Sequence, residues 1–386
     1  MKKLILITIL SLLLLITMSY GIQADSTDIF LNGINQYYQK NFEKAIKTFD
    51  QYLENKSRHF LKVKTLYYQT LSFIELNQVI KTKNNIKKLK QLGYEFGYLY
   101  WKLGEIYLNQ ENQFDSPFYS EALKQFKQAH DLGINSYLFQ KDLAICYQGL
   151  GKNKKAATAY KQALKNNNTV EDYINLANLY KKIDNNTEAI KYYEKTLSLD
   201  SNQESVYLNL GNIYFNTEKY NKSINVYKKG LKINPSLVTM RFKLAKAYYY
   251  IQDFSRAKKE FEQVVTANNN YYRAYYFLGQ IMYNQKQYKN AINMYEKCIE
   301  VNQKYAKAYL GLGNIYLKQK NFYKAVANFS SAIDKNKNNP DGHYYLALAY
   351  NKLNMKDAAV AELKTTLHLD SDFKPARKLL NQLMED

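Results

Sequence analysis

One dipeptide pattern returns along most of this chain at an almost fixed spacing. Each instance is a leucine followed by a small residue, and after the first interval the spacing is 34 residues. The pairs are Leu143-Ala144, Leu176-Ala177, Leu210-Gly211, Leu244-Ala245, Leu278-Gly279, Leu312-Gly313 and Leu346-Ala347. A period of this length indicates stacked supersecondary units, each contacting its neighbours, rather than globular domains with separate cores.

Each unit carries two apolar stripes at helical spacing. A large residue, usually tyrosine, follows the small residue of each pair after three positions, which places one stripe on a first helix. A second small residue and a ring or leucine four positions later mark a second helix. These later residues are Ala156 and Tyr160, Ala189 and Tyr193, Ser223 and Tyr227, Ala257 and Phe261, Ala291 and Tyr295, Ala325 and Phe329, and Ala359 and Leu363. Small residues opposite rings let the two helices approach closely, so the sequence predicts an all-α protein.

The pattern resembles the tetratricopeptide-repeat family, whose 34-residue unit runs Trp or Tyr, Leu, Gly or Ala, Tyr, then Ala, Phe or Tyr, Ala and Pro. The first aromatic is matched by Tyr173, Tyr207, Tyr275 and Tyr309, and the final proline by Pro235. The resemblance implies a right-handed superhelical solenoid of antiparallel helix pairs, with about nine to ten repeats.

The repeat pattern divides the chain into segments of different regularity. Residues 25–96 hold irregular helix pairs that keep little of the pattern, and 97–136 holds one repeat with an insertion. Seven regular units fill 137–373. Residues 374–386 are amphipathic, and a terminal repeat needs a cover for its apolar face, so this segment is predicted to be a capping helix.

The first residues have the character of an export signal. Lys2 and Lys3 precede an apolar run from Leu4 to Met18, which is too short for a typical membrane-spanning helix. Residues 1–24 are therefore predicted to be a signal peptide, with an uncleaved N-terminal anchor as the alternative. Either reading places the rest of the chain outside the cytoplasm, in the periplasm, cell envelope or extracellular space. Membrane contact is then expected only through residues 1–24, if they are kept.

The resemblance also implies a binding surface, since the first helices of tetratricopeptide repeats line the concave face. The Asn-Leu-small-Asn pattern is similar to the asparagine ladder of relatives that hold an extended peptide by its backbone. An amide side chain offers a donor and an acceptor, so it can pair with a peptide bond of any sequence. The predicted partner-binding residues are Asn175, Asn178, Asn209, Asn212, Lys243, Lys246, Arg273, Gln280 and Asn314.

Two observations keep another interpretation of this surface open. Asparagine is abundant throughout the chain, and the ladder is broken by Ile145, Phe277 and Leu348. The amides can therefore also be read as an ordinary solvated helix face. Arg241, Arg273 and Lys307 would add attraction for an acidic segment.

Charge suggests a second kind of partner. The chain holds 55 basic and 34 acidic residues, a formal net charge of +21. The main prediction is a non-catalytic scaffold that binds a protein or an extended, acidic polypeptide. The alternative is a basic surface-associated protein that holds an anionic envelope polymer or lipid. An exported location makes nucleic acid an improbable partner.

No catalytic, metal or cofactor motif is found in the sequence. It lacks a phosphate-binding glycine-rich loop, a His-Glu-x-x-His motif and a nucleophile elbow, and its four histidines have no ligand spacing. We therefore predict no enzyme activity, no cofactor and no metal site.

Overall fold

The computed structural model describes residues 24–54, 59–109, 116–165 and 167–385, and these residues form two compact units. Unit 1 ends at Lys195 and unit 2 begins at Thr196. Residues 1–23 of the predicted signal peptide and most of the insertion in repeat 97–136 lie outside the described residues. None of the described helices has the length and apolar character needed to cross a membrane.

The described residues form helices joined by short turns, without strands. In unit 1 the helices are α1 (Ala24–Tyr38), α2 (Phe42–Glu54), α3 (His59–Glu75), α4 (Val79–Gln91), α5 (Gly97–Leu108), α6 (Ser116–Asp131), α7 (Tyr137–Gly149), α8 (Asn153–Ala163) and α9 (Val170–Lys182). Helix α10 (Asn186–Leu199) crosses the boundary between the units. In unit 2 they are α11 (Glu204–Asn216), α12 (Tyr220–Ile233), α13 (Val238–Tyr250), α14 (Phe254–Ala267), α15 (Tyr272–Asn284), α16 (Tyr288–Val301), α17 (Ala306–Lys318), α18 (Phe322–Lys335), α19 (Pro340–Lys352), α20 (Lys356–Leu369) and α21 (Lys374–Glu385).

Successive helices pack in pairs. Within unit 2 the contacts are densest inside the pairs α11–α12, α13–α14, α15–α16, α17–α18 and α19–α20. Helices joined by such short turns must run antiparallel to remain in contact. The predicted all-α class and its helix pairs are therefore confirmed. The first helices of successive pairs also touch each other, as α11 and α13, α15 and α17, and α17 and α19 do.

Rings from the second helices pack on the small residues of the first helices. A β-carbon placed on Gly279 would come within 2.6 Å of a ring carbon of Tyr295, and one on Gly311 of the next pair within 2.5 Å of the same ring. Tyr295 and its counterparts Tyr227 and Phe329 are fully buried. The close approach that the repeat pattern predicted is thus made by glycine and a ring.

In the six pairs from α9–α10 to α19–α20, the turn inside the pair places a residue other than glycine in the left-handed region. The hydrogen bonds from Lys286 N to Tyr283 O and from Gln287 N to Met282 O form a Schellman cap, with Lys286 at φ 59°. The same feature recurs every 34 residues, at Asp184, Glu218, Gln252, Lys286, Lys320 and Asn354. Because a β-carbon disfavours this conformation, each of these turns carries a small strain.

Glycine is therefore expected to stabilise unit 2 at these turns. Lys286→Gly and Lys320→Gly should each raise the free energy of unfolding by about 0.5–1 kcal/mol, since the relieved strain exceeds the added freedom of the unfolded chain. The two changes should add, because the sites lie in different helix pairs. Urea denaturation measures the effect. Gln285→Gly is the control, because Gln285 has a φ of −81°, and this variant should lower the free energy of unfolding. The same change in the free energy of unfolding at Gln285 and at Lys286 would show that the turns are not strained.

The irregular pair α3–α4 lacks the ring-on-glycine contact and has a buried polar network beside its apolar residues. Gln69 Nε2 donates to Asp50 Oδ1 at 2.7 Å, and Asn85 Nδ2 donates to Gln69 Oε1 at 2.8 Å. Gln69 and Asn85 are buried, and burying amides is tolerable only when they are paired in this way. Residues 60–96 therefore keep a packed helix pair without the ring-on-glycine contact of the regular repeats.

Candidate peptide-binding surface

All nine predicted partner-binding residues lie on first helices. Asn175 and Asn178 are on α9 in unit 1, where both side chains are partly buried. The other seven are in unit 2, where Arg273 is exposed and the rest are partly buried: Asn209 and Asn212 on α11, Lys243 and Lys246 on α13, Arg273 and Gln280 on α15, and Asn314 on α17. No observation tests whether they bind a partner, so this role stays a prediction.

Two of the amides are held by tyrosines of the second helices. The Tyr193 hydroxyl donates to Asn178 Oδ1 at 2.5 Å, and the Tyr227 hydroxyl donates to Asn212 Oδ1 at 2.8 Å. In each case the amide oxygen is engaged inside the repeat, while the NH₂ group of the same side chain can still donate. These amides are therefore oriented by the core beneath them.

Asn314 differs from those two amides in its surroundings. The ring beneath it in the same repeat is Phe329, which has no hydroxyl to hold the amide. Asn314 can therefore offer both its oxygen and its NH₂ group to a peptide bond.

The strongest electrostatic feature of the surface is a group of four cations, which we call the basic cluster: Lys243, Lys246, Arg273 and Lys307. Burial lowers the pKa of Lys246, and the charges of the other three lower it further. No ion pair involves any of the four within the described ranges. An anionic ligand would relieve this mutual repulsion.

Aromatic rings surround the centre of the basic cluster. The Lys246 Nζ lies 4.9 Å from the ring centroid of Phe215, 5.8 Å from that of Tyr250 and 5.8 Å from that of Phe277. These rings come from α11, α13 and α15, so three first helices converge on one ammonium group. The rings supply cation–π attraction and an apolar surface beside the charge.

Sequence reasoning identified the cations but missed two of these rings. In the sequence pattern Phe277 breaks the ladder, and Phe215 is not among the predicted partner-binding residues. Phe215 and Tyr249 do share one position of the 34-residue period, next to the core tyrosines. Aromatic residues at this shared position are the sequence feature that could have indicated Phe215. Phe277 lies at a different position of the period.

Arg241, which we expected to attract an acidic segment, is engaged in the fold instead. Its Nη1 lies 2.9 Å from Glu260 Oε2 on α14, and its Nη2 donates to the Pro235 carbonyl oxygen at 2.8 Å. It also bonds Gln263. This arginine therefore ties the start of α13 to α14.

A carboxyl with a raised pKa connects two first helices of unit 1. Asp142 on α7 accepts a hydrogen bond from Trp101 Nε1 on α5 at 2.7 Å. Burial raises the pKa of Asp142 from 3.8 to about 7, the Trp101 N–H opposes the shift, and the charge of Glu105 adds to it. This carboxyl therefore titrates near neutral pH.

We expect Asp142 to make unit 1 less stable as the pH rises. Its pKa is higher folded than unfolded, so its contribution is fully present below about pH 3.8 and is lost as the pH rises through about 7. Asp142→Asn keeps an acceptor for Trp101 without the charge. The variant should be more stable than wild type by about 1 kcal/mol near pH 8 and little different near pH 4.

Urea denaturation across this pH range measures the difference. Trp101 is the only tryptophan of the chain, so its emission reports the titration directly. A midpoint near 7 should appear in wild type and vanish in Asp142→Asn. Parallel pH profiles for the two proteins would contradict this assignment.

Comparisons with known proteins agree with the repeat architecture. A family model described as TPR repeat matches residues 211–252, 279–320 and 313–354, and two described as tetratricopeptide repeat match 242–299 and 173–203. A search of the curated proteins found no significant match.

Solved structures with similar folds include three of different size. The C-terminal part of a TPR repeat-containing protein from Cytophaga hutchinsonii is 21% identical, with 62% of this chain and 99% of that chain covered and a TM-score of 0.54. Yeast Tom70 is 14% identical, with 93% and 95% covered and a TM-score of 0.43. YrrB, described as a TPR protein with an unusual peptide-binding site, is 18% identical, with 48% and 96% covered and a TM-score of 0.40. The first of these supports the fold.

Paired helices, a 34-residue period and rings packed on small residues define a helical repeat protein. With the family matches, they show that residues 173–203 and 211–354 are tetratricopeptide repeats. This architecture supports a protein-interaction scaffold.

Proposed function

We propose that this chain is an exported, non-catalytic scaffold that binds an extended acidic polypeptide along the first helices of unit 2. The observation that carries the proposal is the basic cluster, in which four cations form no ion pair among the described residues and Lys246 lies among three aromatic rings. An acidic segment would neutralise the cations, and its apolar side chains would pack on Phe215, Tyr250 and Phe277.

The amides give the same surface a sequence-independent component. Asn212, Gln280 and Asn314 are on α11, α15 and α17, first helices of the same unit. Their side chains can bond successive peptide groups of an extended chain. Charge would then favour acidic partners, while the amides would hold the backbone.

Export is part of the proposal and rests on the N-terminal sequence. The basic residues, the apolar run and Ala24 form the pattern of a cleaved signal. N-terminal sequencing of protein recovered outside the cytoplasm is expected to begin at Asp25. Intact Met1 on that protein would favour an uncleaved anchor, and protein retained in the cytoplasm would contradict export.

The peptide site is tested with a labelled probe of about 12 residues in which glutamate alternates with small apolar residues, long enough to cross several helices. Lys243→Gln, Arg273→Gln and Lys307→Gln in one protein should weaken binding at least about tenfold, measured by fluorescence anisotropy. The charge-matched control carries Lys228→Gln, Lys229→Gln and Lys232→Gln, all exposed on α12 or its end. It should weaken binding by less than about twofold.

Salt separates the proposal from the alternative of a basic exterior. Counter-ion-dominated binding of an anionic polymer or lipid should be largely lost at about 0.5 M salt and should fall equally in both triple variants. At the same salt concentration, the affinity of the probe for the proposed site should fall only in part. Asn314→Ala should still weaken that remaining binding. Equal loss in the two triple variants would move the function away from the first helices.

A further inference from the structure

A cavity of about 450 Å³ lies in unit 1, and none of the residues proposed to bind a polypeptide is among those that line it. Phe30 and Ile34 of α1 line it and are almost fully buried. Phe60 at the start of α3 and Tyr94 after α4 also line it, with 53% and 38% of their surface exposed. The cavity thus has an apolar floor, reachable aromatic walls and a volume in the range of small-molecule sites.

The aromatic walls belong to one continuous set of rings. The ring centroids of Tyr67 and Phe96 are 4.9 Å apart, and those of Tyr94 and Phe96 are 6.4 Å apart with the rings nearly parallel. Aromatic pairs of this kind hold each other in place. The cavity is therefore built by packed side chains from three segments of unit 1: α1, α3 and the connection before α5.

One charged side chain lines this cavity, that of Lys64. Its Nζ lies 4.5 Å from the ring centroid of Phe60, and no ion pair involves it in the part of the chain that is described. Burial alone lowers the pKa of Lys64, without a neighbouring carboxylate to counter the shift. A partly desolvated ammonium without an anionic partner gains most from a ligand that brings the anion.

We propose that this cavity binds a small amphipathic carboxylate, whose apolar body lies among the rings and whose carboxylate pairs with Lys64. The lining excludes an organic cation, because the charge of that cation would be repelled by the Lys64 ammonium group. A purely apolar ligand would leave that ammonium unpaired. The site is independent of the proposed polypeptide site, which lies in unit 2.

Isothermal titration of the full chain with sodium octanoate tests the site, with octanol and octylamine as probes of equal chain length. Octanoate should bind once per chain and about tenfold or more tightly than octanol, and octylamine should bind more weakly still. Lys64→Met keeps the apolar stem and should remove the preference for octanoate over octanol. Phe60→Ala removes an exposed wall and should weaken both ligands.

Lys62→Met is the matched control, because Lys62 is an exposed lysine on the same helix. It should change octanoate affinity by less than about twofold, and circular dichroism should show that all variants keep their helices. Several results would overturn the proposal: no octanoate binding, equal affinity for octylamine, or a preference for octanoate that survives Lys64→Met. Binding of a peptide with an apolar end, but not of octanoate, would assign the cavity to a polypeptide instead.

Discussion

Replacing Tyr295 by alanine is expected to lower the free energy of unfolding of unit 2 by about 3–5 kcal/mol. Tyr295 is fully buried, and its ring fills the space above Gly279 of its own pair and Gly311 of the next pair. Neither glycine has a side chain that can move into the vacated volume. The cavity would therefore persist and weaken two helix interfaces at once.

Two matched variants separate the ring from other effects. Tyr295→Phe should cost less than about 1 kcal/mol, because Phe261 and Phe329 serve the same position in other repeats. Tyr323→Ala removes a tyrosine that is 77% exposed and should change stability little. Urea denaturation of the three variants measures the series. A loss below about 1 kcal/mol in Tyr295→Ala would contradict the packing described above.

Ending the chain after Ser371 is expected to destabilise the last repeat and to cause self-association. Helix α21 packs on α20, where Ala376 and Leu383 cover Leu363, a residue with no exposed surface. Leu379 and Leu380 contribute to the same cluster. Losing these leucines should cost about 3 kcal/mol or more and leave an apolar face open to a second molecule.

A single substitution gives a finer test of the capping helix. Leu383 is 9% exposed, whereas its neighbour Met384 is 68% exposed. Leu383→Asp should therefore lower the unfolding midpoint and promote association, while Met384→Asp should do neither. Denaturation and sedimentation of both variants measure the outcome. A truncated chain that stayed monomeric and equally stable would show that α21 is not needed as a cap.

Much of the fold could be predicted because the repeat pattern records local packing. Leu-small pairs and rings at helical spacing fix which faces meet, and this gave the helix pairs without reference to distant contacts. The turn at Lys286 could not be predicted in the same way. Nothing in a lysine indicates positive φ, and the neighbouring helices impose that conformation.

The candidate site was harder to predict, because it depends on side chains from several helices. The sequence placed Lys246 on a first helix, but its surroundings require Phe215 and Phe277 from the helices on either side. In the sequence, Arg241 cannot be distinguished from Arg273 and Lys307 as a cation that could attract an acidic segment. The structure shows that Arg241 is instead paired with Glu260 of α14. The cavity beside Lys64 arises in a segment without the repeat pattern, where periodicity carries no information.

The hydrogen bonds from Tyr193 to Asn178 and from Tyr227 to Asn212 have a consequence for how binding strength can change. In the proposed peptide site, an amide that is already held would lose less rotational freedom when the polypeptide binds, so affinity would depend partly on a hydroxyl beneath the surface. Exchanging tyrosine and phenylalanine beneath the surface would then tune affinity while leaving every ligand-facing residue in place. Phe329 beneath Asn314 has no hydroxyl, so the Asn314 side chain keeps more rotational freedom before a ligand binds.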